Sequence, residues 1–384
     1  MKKRILSLLL IAVLLISSPL AIPVMAQDAA GNEDATGVQE PAEEPAEHNT
    51  DRATARPLSA GLEALRAQYK RGVGPEVNGK QLDYRYYSPV GKSDNHKYPL
   101  VVFFHGREQG AYEGRQIQAN DFCVWTSAQM QARFRDGEGA FMLALRSPEE
   151  DLNYWGESTV APAKAAIDDF IATFADNVDT RRIIILGWSI GARAAVKLLA
   201  AYPNRFSAGV LIGPYYDPTA SEVRQIADIP LWIIAAKKDT YALYTTVRSI
   251  VRRIGTASSI ADVSRFSTIS GDVMTPTGSD TDNSNHKLFH IAAYDMFTLE
   301  GDDMYGMETT TFSGKPVTLT APYGIIDWVS AMYSDYDGAD SVKTCDCNCH
   351  STGIRKFFWN IGVFFWRLFN IKDKRYCECG AKHW

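Results

Sequence analysis

An α/β fold on a mostly parallel central sheet, with helices on both faces, is what this chain predicts. Three observations carry the prediction. Short apolar runs rich in Val, Ile and Phe alternate along the chain with stretches of helical spacing. One of those runs, in Arg181–Lys197 (RRIIILGWSIGARAAVK), passes through a tight glycine-flanked turn straight into an alanine-rich helical pattern. And 384 residues, 46% hydrophobic and 22% charged, are enough for one large domain with a full core plus appendages.

The appendages come first. Lys2-Lys3-Arg4, an apolar run from Ile5 to Ile16, and Val24-Met25-Ala26 read as a secretory signal peptide over residues 1–26, with a retained anchor as the other reading. Residues 27–57 are rich in Ala, Glu, Asp and Pro and should form an acidic tether. The folded domain is expected over 58–340. Within it, Leu58 to Tyr69 reads as a helix, Gln81–Pro89 as an alternating strand, and Leu100 to Phe104 as a buried strand ending in His105-Gly106. Further strands are expected at Ala140–Leu145, Ile183–Leu186, Ala208–Ile212 and Pro230–Ala236. Val263–Ile269 is expected to be the last. Helices should span Thr159–Phe174, Tyr241–Ile254 and, closing the domain, Gly324–Tyr333. The net charge of −5 offers no basic field, so nucleic acid is not an expected partner.

The turn in Arg181–Lys197 is Gly187-Trp188-Ser189-Ile190-Gly191, a G-x-S-x-G elbow that would hold a serine hydroxyl out at the top of the sheet. A serine hydroxyl is a poor nucleophile. It needs a base in hydrogen-bond reach, and the base needs an acid to fix its tautomer. In sheets with such an elbow the partners follow in the order Ser, acid, His, at carboxyl ends of strands. Asp239 fits the acid because it follows Leu231–Ala236 directly; Asp217 is the runner-up. The base is His286 or His290, four residues apart, with His286 preferred because it ends the Ser270–Asn285 loop and should open a helix. His105 is read as a buttress of its own loop. An oxyanion needs two backbone N–H donors, expected from Ile190, next to the serine, and from Arg107 in the His105-Gly106-Arg107 turn. Trp125, Tyr154, Trp155, Trp188, Tyr215 and Tyr216 are either aromatic walls of the site or core packing. No cofactor is needed for this chemistry.

The segments KYPLVVFFHGREQG, VDTRRIIILGWSIGARAAVKLLAAYPNRFSAGVLIGP, DIPLWIIAAKKDTY and GIIDWVSAM resemble secreted bacterial α/β-hydrolases of the esterase and predicted-peptidase group, similar to feruloyl esterases and polyhydroxybutyrate depolymerases. The resemblance covers roughly Gln81 to Tyr333 and departs from the group in Arg107-Glu108-Gln109, where a glycine-richer turn is common, and in Asn285-His286, where Gly-His is common. It implies a serine hydrolase acting on a small-molecule or polysaccharide-linked ester. A peptidase of the same fold, or a non-catalytic surface adhesion protein, is the alternative.

Residues 341–384 form a separate tail. Cys345, Cys347, Cys349 and His350 at one end, and Cys377, Cys379 and His383 at the other, offer either a zinc site using a subset of them or disulfides. Between them Ile354–Phe369 is apolar and aromatic with a narrow polar stripe. Such a segment should lie on a membrane surface, the cell envelope, a protein partner or the hydrolase body, and with the signal peptide the chain is expected to be secreted or surface-associated.

Overall fold

The computed structural model describes residues 60–89, 96–107, 114–134, 137, 139–148, 155–271, 285–286, 288, 307–319 and 324–334. The expected signal segment, the acidic tether and the whole Cys/His tail lie outside the described residues, as do His290 and Tyr154.

Among the described residues, nine strands form one sheet in the order β1-β2-β4-β3-β5-β6-β7-β8-β9. They are β1 (Lys70–Val73), β2 (Asp83–Tyr87), β3 (Tyr98–Phe104), β4 (Phe141–Leu145), β5 (Val178–Trp188), β6 (Ala208–Ile212), β7 (Leu231–Ala236), β8 (Arg265–Ile269) and β9 (Met307–Thr311). The run from β4 through β3, β5, β6 and β7 to β8 is parallel. β1, β2 and β9 pair antiparallel at the two edges. The main helices are α1 (Ala60–Ala67), α2 (Val160–Thr173), α3 (Gly191–Ala201), α4 (Ala220–Ile226), α5 (Tyr244–Ala257) and α6 (Ile325–Ser330).

The central strands are apolar on both faces because both faces are covered. Along β3, Leu100, Val102 and Phe104 point into one core, with α2 to α5, while Val101 and Phe103 point into the other. β5 divides the same way, Ile183 and Ile185 against Ile184 and Leu186. The second core is closed by α6 and by the stretch Ala119–Thr126, where Phe103 stacks on Phe122 at 4.5 Å between centroids. Burying one such side chain contributes about 1.5–3 kcal/mol, which fixes the strand ends in place.

Two expectations about the elements are corrected. Val263–Ile269 is not the last strand: Val263 lies in a turn, β8 starts at Arg265, and β9 follows to cap the edge. The helix expected from Tyr241 starts at Tyr244, because the Asp239 carboxylate accepts the Tyr241 and Ala242 N–H groups at 2.8 and 2.9 Å and holds them in a turn.

Candidate active site

β5 delivers Ser189 to the carboxyl edge of the sheet, and α3 begins two residues later. The two flanking glycines are required by space. A Cβ on Gly187 would come within 2.7 Å of the Gly191 carbonyl oxygen, and one on Gly191 within 2.1 Å of the Phe104 carbonyl oxygen. The elbow is thus pressed against the end of β3. Ser189 itself adopts φ 55°, a left-handed backbone that costs a non-glycine residue about 1–2 kcal/mol. Neighbouring bonds hold it there: its N–H donates to the Ile212 carbonyl at 2.9 Å, and its carbonyl accepts the Tyr215 N–H at 3.1 Å.

The structure brings three of the expected residues into one hydrogen-bonded line. His286 Nε2 lies 2.7 Å from Ser189 Oγ, and His286 Nδ1 lies 2.8 Å from Asp239 Oδ2. The Asp239 side chain is fully buried at the end of β7, whereas the His286 side chain keeps 11% exposure. The second Asp239 oxygen is engaged by the Tyr241 and Ala242 N–H groups, so the carboxylate cannot rotate away. With Oδ2 accepting at Nδ1, the proton of the neutral ring sits on Nδ1 and the Nε2 lone pair faces the serine.

His286 is placed differently from its expected setting. It lies outside helix and strand, after Asn285, which is also left-handed at φ 54°. Asparagine tolerates that conformation better than most residues, which accounts for Asn where the resembled group has Gly. Asp217, the runner-up acid, pairs instead with Arg253 on the α5 surface and is exposed.

Both expected oxyanion donors follow the carboxyl ends of neighbouring strands. Phe104 and Gly187 are paired across β3 and β5; Arg107 and Ile190 each stand three residues further on. Among the described residues neither main-chain N–H donates to a protein acceptor. The Ile190 N–H opens α3, whose amino end carries positive partial charge. The turn before Arg107 is held by His105. Its Nε2 accepts the Ser147 N–H at 3.1 Å, leaving Nδ1–H to donate to the Gly106 carbonyl at 2.7 Å, and its carbonyl accepts from the Trp155 indole at 2.9 Å. Burial, opposed by the Gly106 bond and reinforced by Arg146, pushes the His105 pKa down to about 4. The ring is therefore neutral and keeps one tautomer at physiological pH.

Among the aromatic residues, Trp125 and Trp155 are core, at 0% and 1% exposure. Trp188 is buried too, and its indole donates to the His286 carbonyl at 3.2 Å while its ring lies where a Gly106 Cβ would be. Tyr216 is tied to Glu222 by its hydroxyl. Only Tyr215, of those described, is an exposed wall. Sequence reasoning missed Tyr241, exposed with its ring 5.3 Å from the His286 ring, and the exposed Leu243 two residues on. Their place directly after Asp239 was the available signal. It also missed Gly213, left-handed at φ 49°, where a Cβ would sit 3.4 Å from the His286 ring.

Residues 88–264 match the family described as the alpha/beta hydrolase fold, and the strand order, the elbow and the hydrogen-bonded line are those of that architecture. The chain has the α/β-hydrolase fold. A thermostable esterase of known structure superposes on it with a TM-score of 0.51 at 23% identity, over 61% of this chain and 62% of that one. The chain thus spans less than two thirds of that esterase's length. An acylaminoacyl peptidase from Pyrococcus horikoshii superposes with a TM-score of 0.38 at 14% identity, over 49% of this chain and 35% of that one. No curated protein matches the sequence. Among the described residues of this α/β-hydrolase fold, no group of three or more His, Cys, Asp or Glu is placed to hold a metal ion, and no helix is long and apolar enough to cross a membrane. The cysteines and histidines of the tail lie outside those residues.

Proposed function

We propose that the chain is an exported serine hydrolase that cleaves carboxylic esters through an acyl-enzyme. The observation that carries the reading is the line from Ser189 Oγ through His286 to Asp239, with bonds of 2.7 and 2.8 Å. Ser189 Oγ attacks the acyl carbon as its proton passes to His286 Nε2, and the buried Asp239 carboxylate stabilises the imidazolium so formed. The carbonyl oxygen becomes an oxyanion received by the Arg107 and Ile190 N–H groups, each worth on the order of 3 kcal/mol to the transition state. Collapse breaks the ester C–O bond, and the proton on Nε2 goes to the leaving alkoxide. Water, deprotonated by the same nitrogen, then attacks the acyl-serine and releases the acid.

An ester is favoured over an amide because an alkoxide leaves more readily than an amine, so less is asked of the histidine as acid. Exposed Tyr215, Tyr241 and Leu243 beside the site suit a substrate with an apolar face. On the same proposal the first 26 residues direct export and the tail retains the enzyme at the cell surface, through zinc or disulfides at Cys345–His350 and Cys377–His383; metal content after refolding under reducing conditions separates the two. The activity itself is tested by comparing p-nitrophenyl acetate with a short peptide p-nitroanilide. Ester turnover well above anilide turnover is expected. The reverse order would make the chain a peptidase.

A further inference from the structure

Between α5 and the strands β8 and β9 lies a groove of about 1080 Å³, away from Ser189 and unused by the chemistry above. Its wall carries Arg248 and Arg252, one helical turn apart and both exposed. Neither guanidinium has an acidic partner among the described residues, whereas Arg253, the next residue, is bound by Asp217 and the Pro218 carbonyl. Two like charges at this spacing repel one another across the helix face. The groove's other cation, Lys237, faces Glu308 at 3.9 Å, so the two arginines leave it positive in a chain whose net charge is −5. The remaining lining is mixed in a specific way. The half-buried Tyr244 lies nearly parallel to the buried core ring of Phe266, with centroids 6.3 Å apart, and the exposed Thr245 and half-buried Thr310 line the groove with it.

We propose that this groove binds an anionic polysaccharide, a sugar chain bearing carboxylate or phosphate groups. Guanidinium forks match both anions bidentately, the half-buried Tyr244 offers an aromatic surface to a sugar ring, and the threonines of the lining suit ring hydroxyls. The groove and the catalytic edge share one connection, from β7 to α5: Lys237, in the groove, precedes Asp239 by two residues, and Tyr244, also in the groove, follows by three the Tyr241 that stands against His286. A polymer held there by its anionic groups would present a neighbouring ester to Ser189. That last step rests on the ester-hydrolase reading; the binding site does not.

Affinity electrophoresis of the full chain in gels containing polygalacturonic acid, a phosphomannan or neutral dextran tests the site, and the first two separate carboxylate from phosphate as the recognised group. Retardation by at least one anionic polymer is expected, with none by dextran, and it should weaken as salt rises. Arg248→Gln with Arg252→Gln, both at exposed positions, should raise the dissociation constant roughly tenfold or more. The same double variant should turn over p-nitrophenyl acetate at the wild-type rate, while its KM for an acetylated polygalacturonate rises at unchanged kcat. Wild-type mobility equal in all three gels, or a double variant retarded as strongly as wild type, would overturn the proposal. Retardation without any ester turnover would leave the groove standing and remove the hydrolase reading instead.

Discussion

Replacing Asp239 by Asn separates two roles that the same side chain fills. Its Oδ1 accepts two backbone N–H groups, from Tyr241 and Ala242 at 2.8 and 2.9 Å, and its Oδ2 meets His286 Nδ1 at 2.8 Å. In Asp239→Asn the amide oxygen must stay on the two N–H donors, since an NH2 group there would face them donor to donor. The NH2 then faces Nδ1 and donates to it. The ring is driven into the other tautomer, with hydrogen on Nε2 pointing at Ser189 Oγ. The base is lost although every heavy atom stays in place. From the effect of such tautomer reversal in serine triads, kcat should fall about 10⁴-fold, or about 5.5 kcal/mol of barrier. Asn serves a turn or cap nearly as well as Asp, so stability should fall by no more than about 1–2 kcal/mol. Asp239→Ala, by contrast, also strips the acceptor from the turn and should cost about 1 kcal/mol more. The assay is kcat for p-nitrophenyl acetate beside urea unfolding of the same preparations. A folded Asp239→Asn variant with kcat within tenfold of wild type would refute the reasoning, because Asp239 would then only be holding the turn.

Other outcomes follow from the same geometry. Relieving the left-handed backbone at position 189 should make Ser189→Gly about 1 kcal/mol more stable than Ser189→Ala in urea unfolding, and equal stabilities would mean that the φ of 55° is unstrained. His105 titrates near 4 in the folded chain against an ordinary 6.5, so its contribution is complete above pH 6.5, is lost as pH falls toward 4, and is level below. The gap corresponds to about 3 kcal/mol, so His105→Asn should flatten the decline in stability between those pH values by that amount, and an unchanged slope would count against the buried neutral ring. Asp217→Asn removes only an exposed pair with Arg253, and should leave kcat unchanged with a stability loss below about 1 kcal/mol; a large loss of kcat would reinstate it as the acid.

What could be read from the sequence is what short-range chemistry dictates. β3, β5, β6 and β7 are runs buried on both faces, and an apolar run of that kind is visible without knowing its neighbours. The elbow was legible because Gly187 and Gly191 are demanded by contacts with the very strand and helix that adjoin them in sequence or register. Asp239 was legible by position. β1 and β9 were not: Lys70–Val73 is polar and mostly exposed, Met307–Thr311 is threonine-rich at an edge, and both exist because a long-range partner offers its hydrogen bonds. The place of His286 is likewise long-range. It depends on the Trp188 indole, 98 residues earlier in the chain, gripping its carbonyl and on the bare Gly213, just past the end of β6, beside its ring. The aromatic residues divided by the same rule. Trp125 and Trp155 look like candidates for a rim in a list of loop residues, and only the packing of Phe122, Phe134 and His105 around them makes them core.

The most direct test of Ser189 as nucleophile is reaction of the full chain with a fluorophosphonate probe, with the adduct mapped by mass spectrometry. One adduct on Ser189 is predicted, absent in Ser189→Ala, strongly slowed in His286→Ala and unaffected in His290→Ala. A folded wild-type chain that stays unlabelled, or that carries the label on another residue, would contradict the account.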